Sequence, residues 1–209
     1  MGSFISTSQF ATKPRKIHQG IAVARDVINY ACNKNVNMAC VTLDMKCGFD
    51  LLQMDFVYYC FERYGFSKRS IEIFKNIYSD ALALTYINGN ISKTIPDLRN
   101  TVCQGGCGSM QLFNIGVNPL LQLLESKLQG ITMCSMPQAG PIEKDRVSIP
   151  DLKQNEKLVA YVDDIMPFLT KEEEFYILDI CLKLFEQASG CRFHRDPLSQ
   201  KCTVMPLGN

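Results

Sequence analysis

Lys157-Leu-Val-Ala-Tyr-Val-Asp-Asp-Ile-Met-Pro-Phe-Leu169 is an apolar segment interrupted at its centre by two adjacent carboxylates, Asp163 and Asp164. This pattern predicts two strands joined by a tight turn that presents the acidic side chains at its tip. Two like charges among apolar residues are unfavourable unless a cation lies between them, so one interpretation is a metal site. The other is an ordinary hairpin whose acidic turn faces solvent, and the segment taken alone favours this second interpretation.

A second carboxylate changes the balance between these interpretations. Residues 38–45 form a compact β-prone run with Asp44 near its carboxyl end, which predicts a buried strand carrying an acidic group. If this strand lies beside the acidic hairpin, three carboxylates converge at one place. Oxygen ligands without histidine or thiolate favour Mg²⁺ or Mn²⁺, and two such ions are suited to in-line attack on a phosphate.

Apolar residues recur at helical spacing in several further segments, and turn residues separate them. The predicted helices cover residues 17–33, 51–64, 68–78, 110–128 and 171–189. Asn88-Gly89 lies between β-prone runs at 83–87 and 91–95, which is a strong signal for a hairpin. Residues 134–156 are expected to form a long irregular connection, and residues 191–209 a strand, a turn and a second strand. This order predicts an α+β domain with a mostly antiparallel sheet backed by helices.

The composition is that of a globular protein, with 46% hydrophobic and 21% charged residues among 209. The net charge of +1 gives no overall attraction to nucleic acid, so any such binding needs a local basic patch. Ten cysteines at irregular spacing inside apolar segments predict reduced, mostly buried thiols. Without a signal peptide or a long apolar run, we expect an intracellular protein with no membrane partner. Residues 1–16 are predicted to be an exposed lead-in to a single domain at 17–209.

Three motifs occur in the order and approximate spacing found in a reverse transcriptase, and they most resemble those of non-LTR (LINE-type) retrotransposons. They are Leu43-Asp-Met-Lys-Cys-Gly-Phe-Asp50, Gln104-Gly-Gly-Cys-Gly-Ser109 with Leu112-Phe113-Asn114, and Ala160-Tyr-Val-Asp-Asp164. The linking segments Tyr64-Gly65-Phe66, Asn88-Gly89, and Ser189-Gly190 followed by Lys201 are similar to that family as well. The resemblance extends from about Gln9 to the end of the chain. It implies the palm of a right-hand polymerase, with partial fingers and no complete thumb.

The resemblance also implies roles for the acidic residues and for one lysine. Asp44 and Asp163 match the aspartates that bind two Mg²⁺ (or Mn²⁺) ions, and the main-chain carbonyl of Met45 matches a further ligand position. Asp164 matches a supporting carboxylate. Lys201 matches a lysine that protonates the leaving pyrophosphate, although a solvated surface lysine is the alternative from sequence.

Three other residues match positions that contact the nucleotide. Phe49 falls where the family places an aromatic steric gate against a 2′-hydroxyl, and ordinary core packing explains it equally well. Gln104 and Gly105 match the loop that contacts the incoming nucleotide and the template base, while a glycine-rich loop before a helix is also a common turn. The implied partners are an RNA template, a DNA primer and a deoxynucleoside triphosphate.

Some positions depart from the family pattern. Cys107 and Gly108 stand where proline and leucine are usual, Cys103 where arginine is usual, and Cys47-Gly48 replaces a commoner Lys-Ala pair. Upstream fingers strands and a thumb have no counterpart, so we expect a fragment, truncated at both ends, that binds metal weakly and polymerises poorly. The alternatives are a non-catalytic, retroelement-derived interaction domain or decaying remnant, and a palm-fold RNA-dependent RNA polymerase.

Overall fold

The computed structural model describes residues 4–79, 86–91, 102, 106, 108–134, 153–195 and 201–208. The helices in these ranges are α1 (Ile17–Lys34), α2 (Gly48–Leu51), α3 (Met54–Arg63), α4 (Lys68–Ser79), α5 (Ser109–Lys127) and α6 (Glu173–Ser189). The strands are β1 (Met38–Thr42), β2 (Tyr86–Ile87), β3 (Asn90–Ile91), β4 (Ile131–Cys134), β5 (Lys153–Glu156), β6 (Leu158–Tyr161), β7 (Asp164–Leu169) and β8 (Thr203–Leu207).

The central sheet has four strands in the order β6-β7-β1-β8. Each neighbouring pair is antiparallel, with Tyr161 opposite Asp164 at the turn of the β6–β7 hairpin and Cys40 opposite Phe168 between β1 and β7. Helices cover this sheet, so the sequence-based prediction of an α+β fold with an antiparallel sheet is confirmed for the part of the chain that the structure describes.

β1 is buried on both faces, which explains its unbroken apolar sequence. Successive side chains of a strand point to opposite faces of the sheet. Val41 belongs to the larger core, which is built mainly on α3, α5 and α6. Met38 and Cys40 belong to a smaller core in which Val27 of α1 packs against Phe168 of β7. The sheet is therefore a middle layer, with α3, α5 and α6 on one face and α1 and β4 on the other, and β1 leads directly to Asp44.

The predicted helix over residues 51–64 is wrong at its start. The structure has a short helix α2, an extended backbone at Leu52 (φ −68°, ψ 112°), and then α3 from Met54. Leu52 is fully buried, and the Gln53 amide donates to the Ser189 carbonyl at 2.9 Å. These tertiary contacts replace the helical hydrogen bonds at the break, which local propensity cannot anticipate.

Two strands lie at the ends of the segment expected to be an irregular connection. β4 and β5 pair antiparallel with Ile131 opposite Glu156, while residues 135–152 lie outside the described ranges. In the tail, β8 pairs with β1, whereas residues 191–195 contribute an isolated bridge between Phe193 and Met45, and residues 196–200 lie outside the described ranges. The Asn88-Gly89 turn is present with positive φ at both residues (48° and 84°), as the sequence predicts.

Residues 4–15 are packed against the domain, so the prediction of an exposed lead-in is wrong for this segment. Ile5, Ser6 and Gln9 are buried. Their polar groups are satisfied by hydrogen bonds to α5 and to the β6–β7 hairpin. Burial of a polar segment with complementary partners leaves no signal in hydropathy.

Among the described residues, no helix combines the length and the apolar character that crossing a membrane requires.

Candidate active site

The pairing of β1 with β7 brings the acidic residues together. Beyond the regular ladder, the Leu43 amide donates to the Ile165 carbonyl at 2.9 Å, and the Ile165 amide donates back at 3.5 Å. Asp44 follows Leu43 and Asp164 precedes Ile165, so both acidic residues directly adjoin this pair. Asp163 occupies the hairpin turn. The structure therefore meets the condition set by the sequence, that the two acid-bearing strands are neighbours in one sheet.

The turn that carries Asp163 has an unusual backbone. Val162 has φ 58°, whereas Asp163 is not among the residues with positive φ. Positive φ at the first central residue only is the pattern of a type II′ turn, which ordinarily has glycine at that position. A β-branched residue is strained there, so surrounding contacts must hold it.

The three carboxylates interact electrostatically. The pKa of Asp164 is raised from its ordinary value of 3.8 by desolvation, then by the charge of Asp163 and then by that of Asp44. Each of these causes disfavours the charged form of Asp164. A divalent cation among the carboxylates would remove the repulsion, and the oxygen donors fit the ions that the sequence implies.

Asp44 also contacts two basic side chains. Lys201 Nζ lies 3.5 Å from Asp44 Oδ2, and His194 Nε2 lies 3.6 Å from the same oxygen. Lys201 Nζ is 3.4 Å from His194 Nε2, so the three groups form a cluster. Lys201, which the sequence matches to a catalytic lysine, therefore lies beside a predicted metal ligand, although its side chain is 55% exposed.

His194 and Cys202 were not identified as site residues from the sequence. The His194 amide donates to the Asp44 carbonyl at 3.0 Å, and the Asp44 amide lies 3.3 Å from Cys202 Sγ. The chain has two histidines, and His194 stands seven residues before Lys201. That spacing was the available signal, but it has meaning only once β8 is known to pair with β1.

The remaining predicted site residues differ in their surroundings. Met45 is buried beside Phe193. Phe49 is half-buried and stacks on Phe113 with ring centroids 4.3 Å apart, so it has a core contact and still exposes part of its ring. Gln104 and Gly105 lie outside the described residues.

The described residues contain no ready-made group of three or more acidic, histidine or cysteine side chains arranged to hold a metal ion. Asp44 and Asp163 supply suitable donor atoms, but Asp44 is oriented toward Lys201 and His194. Because both basic groups contact Asp44 Oδ2, a metal ion bound at this carboxylate would have to share it with them or displace them.

An apolar cleft of about 280 Å³ lies next to the acidic cluster. It is bounded by α1 on one side and by the exposed face of the β6–β7 hairpin on the other, including Tyr161 and Asp164. Asp164 is the carboxylate that lines the cleft, whereas Asp44 and Asp163 are not part of its lining.

Comparison with known proteins agrees with the motifs. Residues 3–205 match the family model described as reverse transcriptase (RNA-dependent DNA polymerase). The chain is also similar to the "Transposon TX1 uncharacterized 149 kDa protein" of Xenopus laevis, with 24% identity over 195 residues. That alignment covers 93% of this chain and 14% of the relative, so the chain spans about a seventh of the relative's length. Since the family model matches nearly the whole chain, this protein belongs to the reverse transcriptase family, whose members generally use divalent metal ions, nucleic acid templates and primers, and nucleotides.

Proposed function

We propose that this chain contains the palm of a LINE-type reverse transcriptase and adds deoxynucleotides to a primer 3′ end on an RNA template. The observation that carries the proposal is the pairing of Leu43 with Ile165, which sets Asp44 beside the turn bearing Asp163 and Asp164. Membership of the reverse transcriptase family supplies the reaction class.

In this proposal Asp44 and Asp163 hold two Mg²⁺ or Mn²⁺ ions, with the carbonyl of Met45 as a further ligand. The bound ions would activate the primer 3′-hydroxyl and neutralise charge on the triphosphate. Asp164 supports the site rather than binding metal directly. Its pKa is raised first by desolvation and then by the charges of Asp163 and Asp44, so the three carboxylates are close enough to interact.

Lys201 is proposed to give a proton to the leaving pyrophosphate. Its ammonium group lies 3.5 Å from Asp44 Oδ2, so a proton donor stands beside a residue that would hold the metal ions. Phe49 is proposed as the steric gate, with Phe113 stacked against it to fix the ring. Gln104 and Gly105 are proposed to contact the incoming nucleotide and the template base.

Primer extension on poly(rA)/oligo(dT) with Mn²⁺ tests the proposal. We expect the wild-type chain to extend the primer slowly and Asp163→Asn to reduce that extension by about 100-fold or more, because a lost metal ligand removes several kcal/mol of transition-state stabilisation. Asp26→Asn is the matched control, since Asp26 is exposed on α1 and pairs only loosely with its neighbour Arg25 at 3.5 Å. Equal extension by wild type and Asp163→Asn would remove the assignment.

A second candidate function is a non-catalytic interaction domain derived from a retroelement. The contacts of Lys201 and His194 with Asp44 favour it, because these basic groups can offset the half-buried carboxylate without a metal ion. Melting temperature distinguishes the two candidates: a stabilising shift with Mg²⁺ or Mn²⁺ that disappears in Asp44→Asn supports the polymerase site. The absence of any shift in the wild type supports the interaction domain.

A further inference from the structure

The segment of residues 4–15, termed here the strap, runs beside the free edge of β6. Gln9 forms a parallel bridge with Ala160: the Phe10 amide donates to the Ala160 carbonyl at 2.8 Å, and the Ala160 amide donates to the Ser8 carbonyl at 2.9 Å. The strap is therefore joined by an isolated parallel bridge to the hairpin that carries Asp163.

The side chain of Gln9 reaches from the strap to the acidic turn. Its Oε1 accepts the Val162 amide at 3.0 Å, and its Nε2 donates to the Val162 carbonyl at 3.3 Å. Oε1 also accepts the Ala11 amide at 3.1 Å. Gln9 is fully buried, so water cannot replace these bonds without a rearrangement of the strap.

The residue that Gln9 contacts is the one that needs support. Val162 has φ 58° at a turn position that favours glycine, and it immediately precedes Asp163. Both polar groups of the Val162 residue are bonded to one amide side chain. A strained backbone persists only where its surroundings determine it, and here the determining contact is Gln9.

The strap is itself fixed, so the Gln9 amide has a defined position. Arg15 Nη1 donates to the carbonyls of Ser6 and Gln9 at 2.6 and 2.7 Å. The Ser6 amide donates to Asn118 Oδ1 on α5 at 2.7 Å, and Ser8 Oγ donates to Glu125 Oε1 at 2.6 Å. These bonds hold the strap against α5, and the strap in turn holds the Gln9 amide at the turn.

We propose that Gln9 is a positioning residue for the active site: it holds Val162 in its strained conformation and thereby sets where the Asp163 carboxylate stands. The catalytic part of this inference rests on the proposed function, because Asp163 must be the metal ligand. The structural part, that Gln9 determines the conformation of the turn, is independent of catalysis.

Gln9→Met tests the inference, because methionine has a similar length and no hydrogen-bonding amide. Gln122→Met is the matched control: Gln122 Nε2 donates to the Phe4 carbonyl of the same strap at 3.2 Å but lies away from the turn. If the Gln9→Met variant does not fold, Gln9→Asn replaces it in every measurement. Asparagine keeps the amide but is shorter by one methylene, so the amide is withdrawn from Val162.

The first measurement is hydrogen exchange of the Val162 amide without added metal. We expect exchange to be faster by about 10-fold or more in Gln9→Met and unchanged in Gln122→Met, because only the former loses the acceptor of that amide. Equal protection in wild type and Gln9→Met would overturn the inference whatever the metal and activity results are.

The second measurement separates positioning from general destabilisation. We expect Gln9→Met to weaken Mn²⁺ binding about 10-fold and to lower kcat with little change in KM for the nucleotide. In the background of Val162→Gly, whose glycine adopts positive φ freely, the same substitution should have a smaller effect on Mn²⁺ affinity. An identical effect in both backgrounds would overturn the role of strain.

The two proposals fail in different ways. If the wild type binds no Mn²⁺, the proposed function fails while the exchange of the Val162 amide still decides whether Gln9 holds the turn. If the wild type binds Mn²⁺ and Gln9→Met binds it equally well, the positioning role fails and the proposed function stands.

Discussion

The ammonium group of Lys201 lies 3.5 Å from the Asp44 carboxylate, so the principal predicted metal ligand already has a cationic partner. A metal ion bound at Asp44 and the Lys201 ammonium would repel each other, so each would weaken the interaction of the other with this carboxylate. This relationship predicts opposite effects on binding and on turnover when the lysine is removed.

Lys201→Met is expected to raise the affinity for Mn²⁺ by about 2- to 5-fold, since a partly exposed ion pair contributes at most about 1 kcal/mol. It should nevertheless lower turnover by about 100-fold, because the proton donor to the leaving group is lost. Mn²⁺ titration and primer extension measure the two effects. Lys183→Met, which removes an exposed ion pair with Asp179, is the control. Weaker Mn²⁺ binding in Lys201→Met would contradict this repulsion.

Glu186 fixes the segment that carries His194. Its Oε1 accepts the Phe193 amide at 2.8 Å and its Oε2 pairs with Arg195 at 2.9 Å, while the residue is 9% exposed. Glu186→Gln should lower the melting temperature by about 3–8 °C, because a largely buried charge-assisted bond is weakened in a chain of this size. Glu173→Gln, on the exposed first turn of α6, should change it little, and equal melting temperatures for the two variants would contradict the assigned contact.

The raised pKa of Asp164 makes a prediction about pH. When the pKa of a carboxyl is higher in the folded state than in the unfolded state, protonation of that carboxyl stabilises the fold. The stabilisation is complete at pH values below the ordinary pKa and is lost as the pH rises through the raised pKa. Asp164→Asn removes both the desolvation cost and the repulsion that the charged carboxylate has above that range. Without added metal, the variant should melt about 1–3 °C above the wild type at neutral pH, with the difference shrinking toward pH 4. A pH-independent difference would show that the charge of Asp164 is not its cause.

The thiols should differ strongly in reactivity. Burial raises the pKa of Cys60 to about 12 and, with the neighbouring Cys32 adding to the effect, that of Cys40 to about 11. Cys32 and Cys47 are exposed. Since the thiolate is the reactive form, iodoacetamide at pH 8 should modify the exposed pair at least about 100-fold faster in the native protein. Peptide mass spectrometry measures the rates, and comparable labelling of Cys60 and Cys47 would contradict the packing around α3.

Much of the frame follows from sequence pattern. The hairpin at Asp163 is marked by two apolar runs of strand length around a polar centre, and β1 by an unbroken apolar run. Both signals lie within a few neighbouring residues and are typical of buried strands, and both elements form as predicted. The convergence of Asp44 with Asp163 depended on which strands are neighbours, a non-local property that the sequence left conditional.

The rest could not be predicted because it depends on complementary polar contacts between distant residues. Gln9 and Asn118 are buried polar residues whose side chains form hydrogen bonds to the backbone of distant segments. A hydropathy scale ranks such residues as exposed. The contact of His194 with Asp44 likewise depends on Glu186 holding the Phe193 amide. In each case the partner is more than five residues away or in another element, beyond the range of periodicity and turn chemistry.

The central claim is that Asp44 and Asp163 together form a divalent-metal site, and titration of Mn²⁺ followed by electron paramagnetic resonance tests it most directly. The account predicts saturable binding by the wild type and by Asp26→Asn, with affinity reduced about 10-fold or more in both Asp44→Asn and Asp163→Asn. The same affinity in all four proteins would contradict the claim.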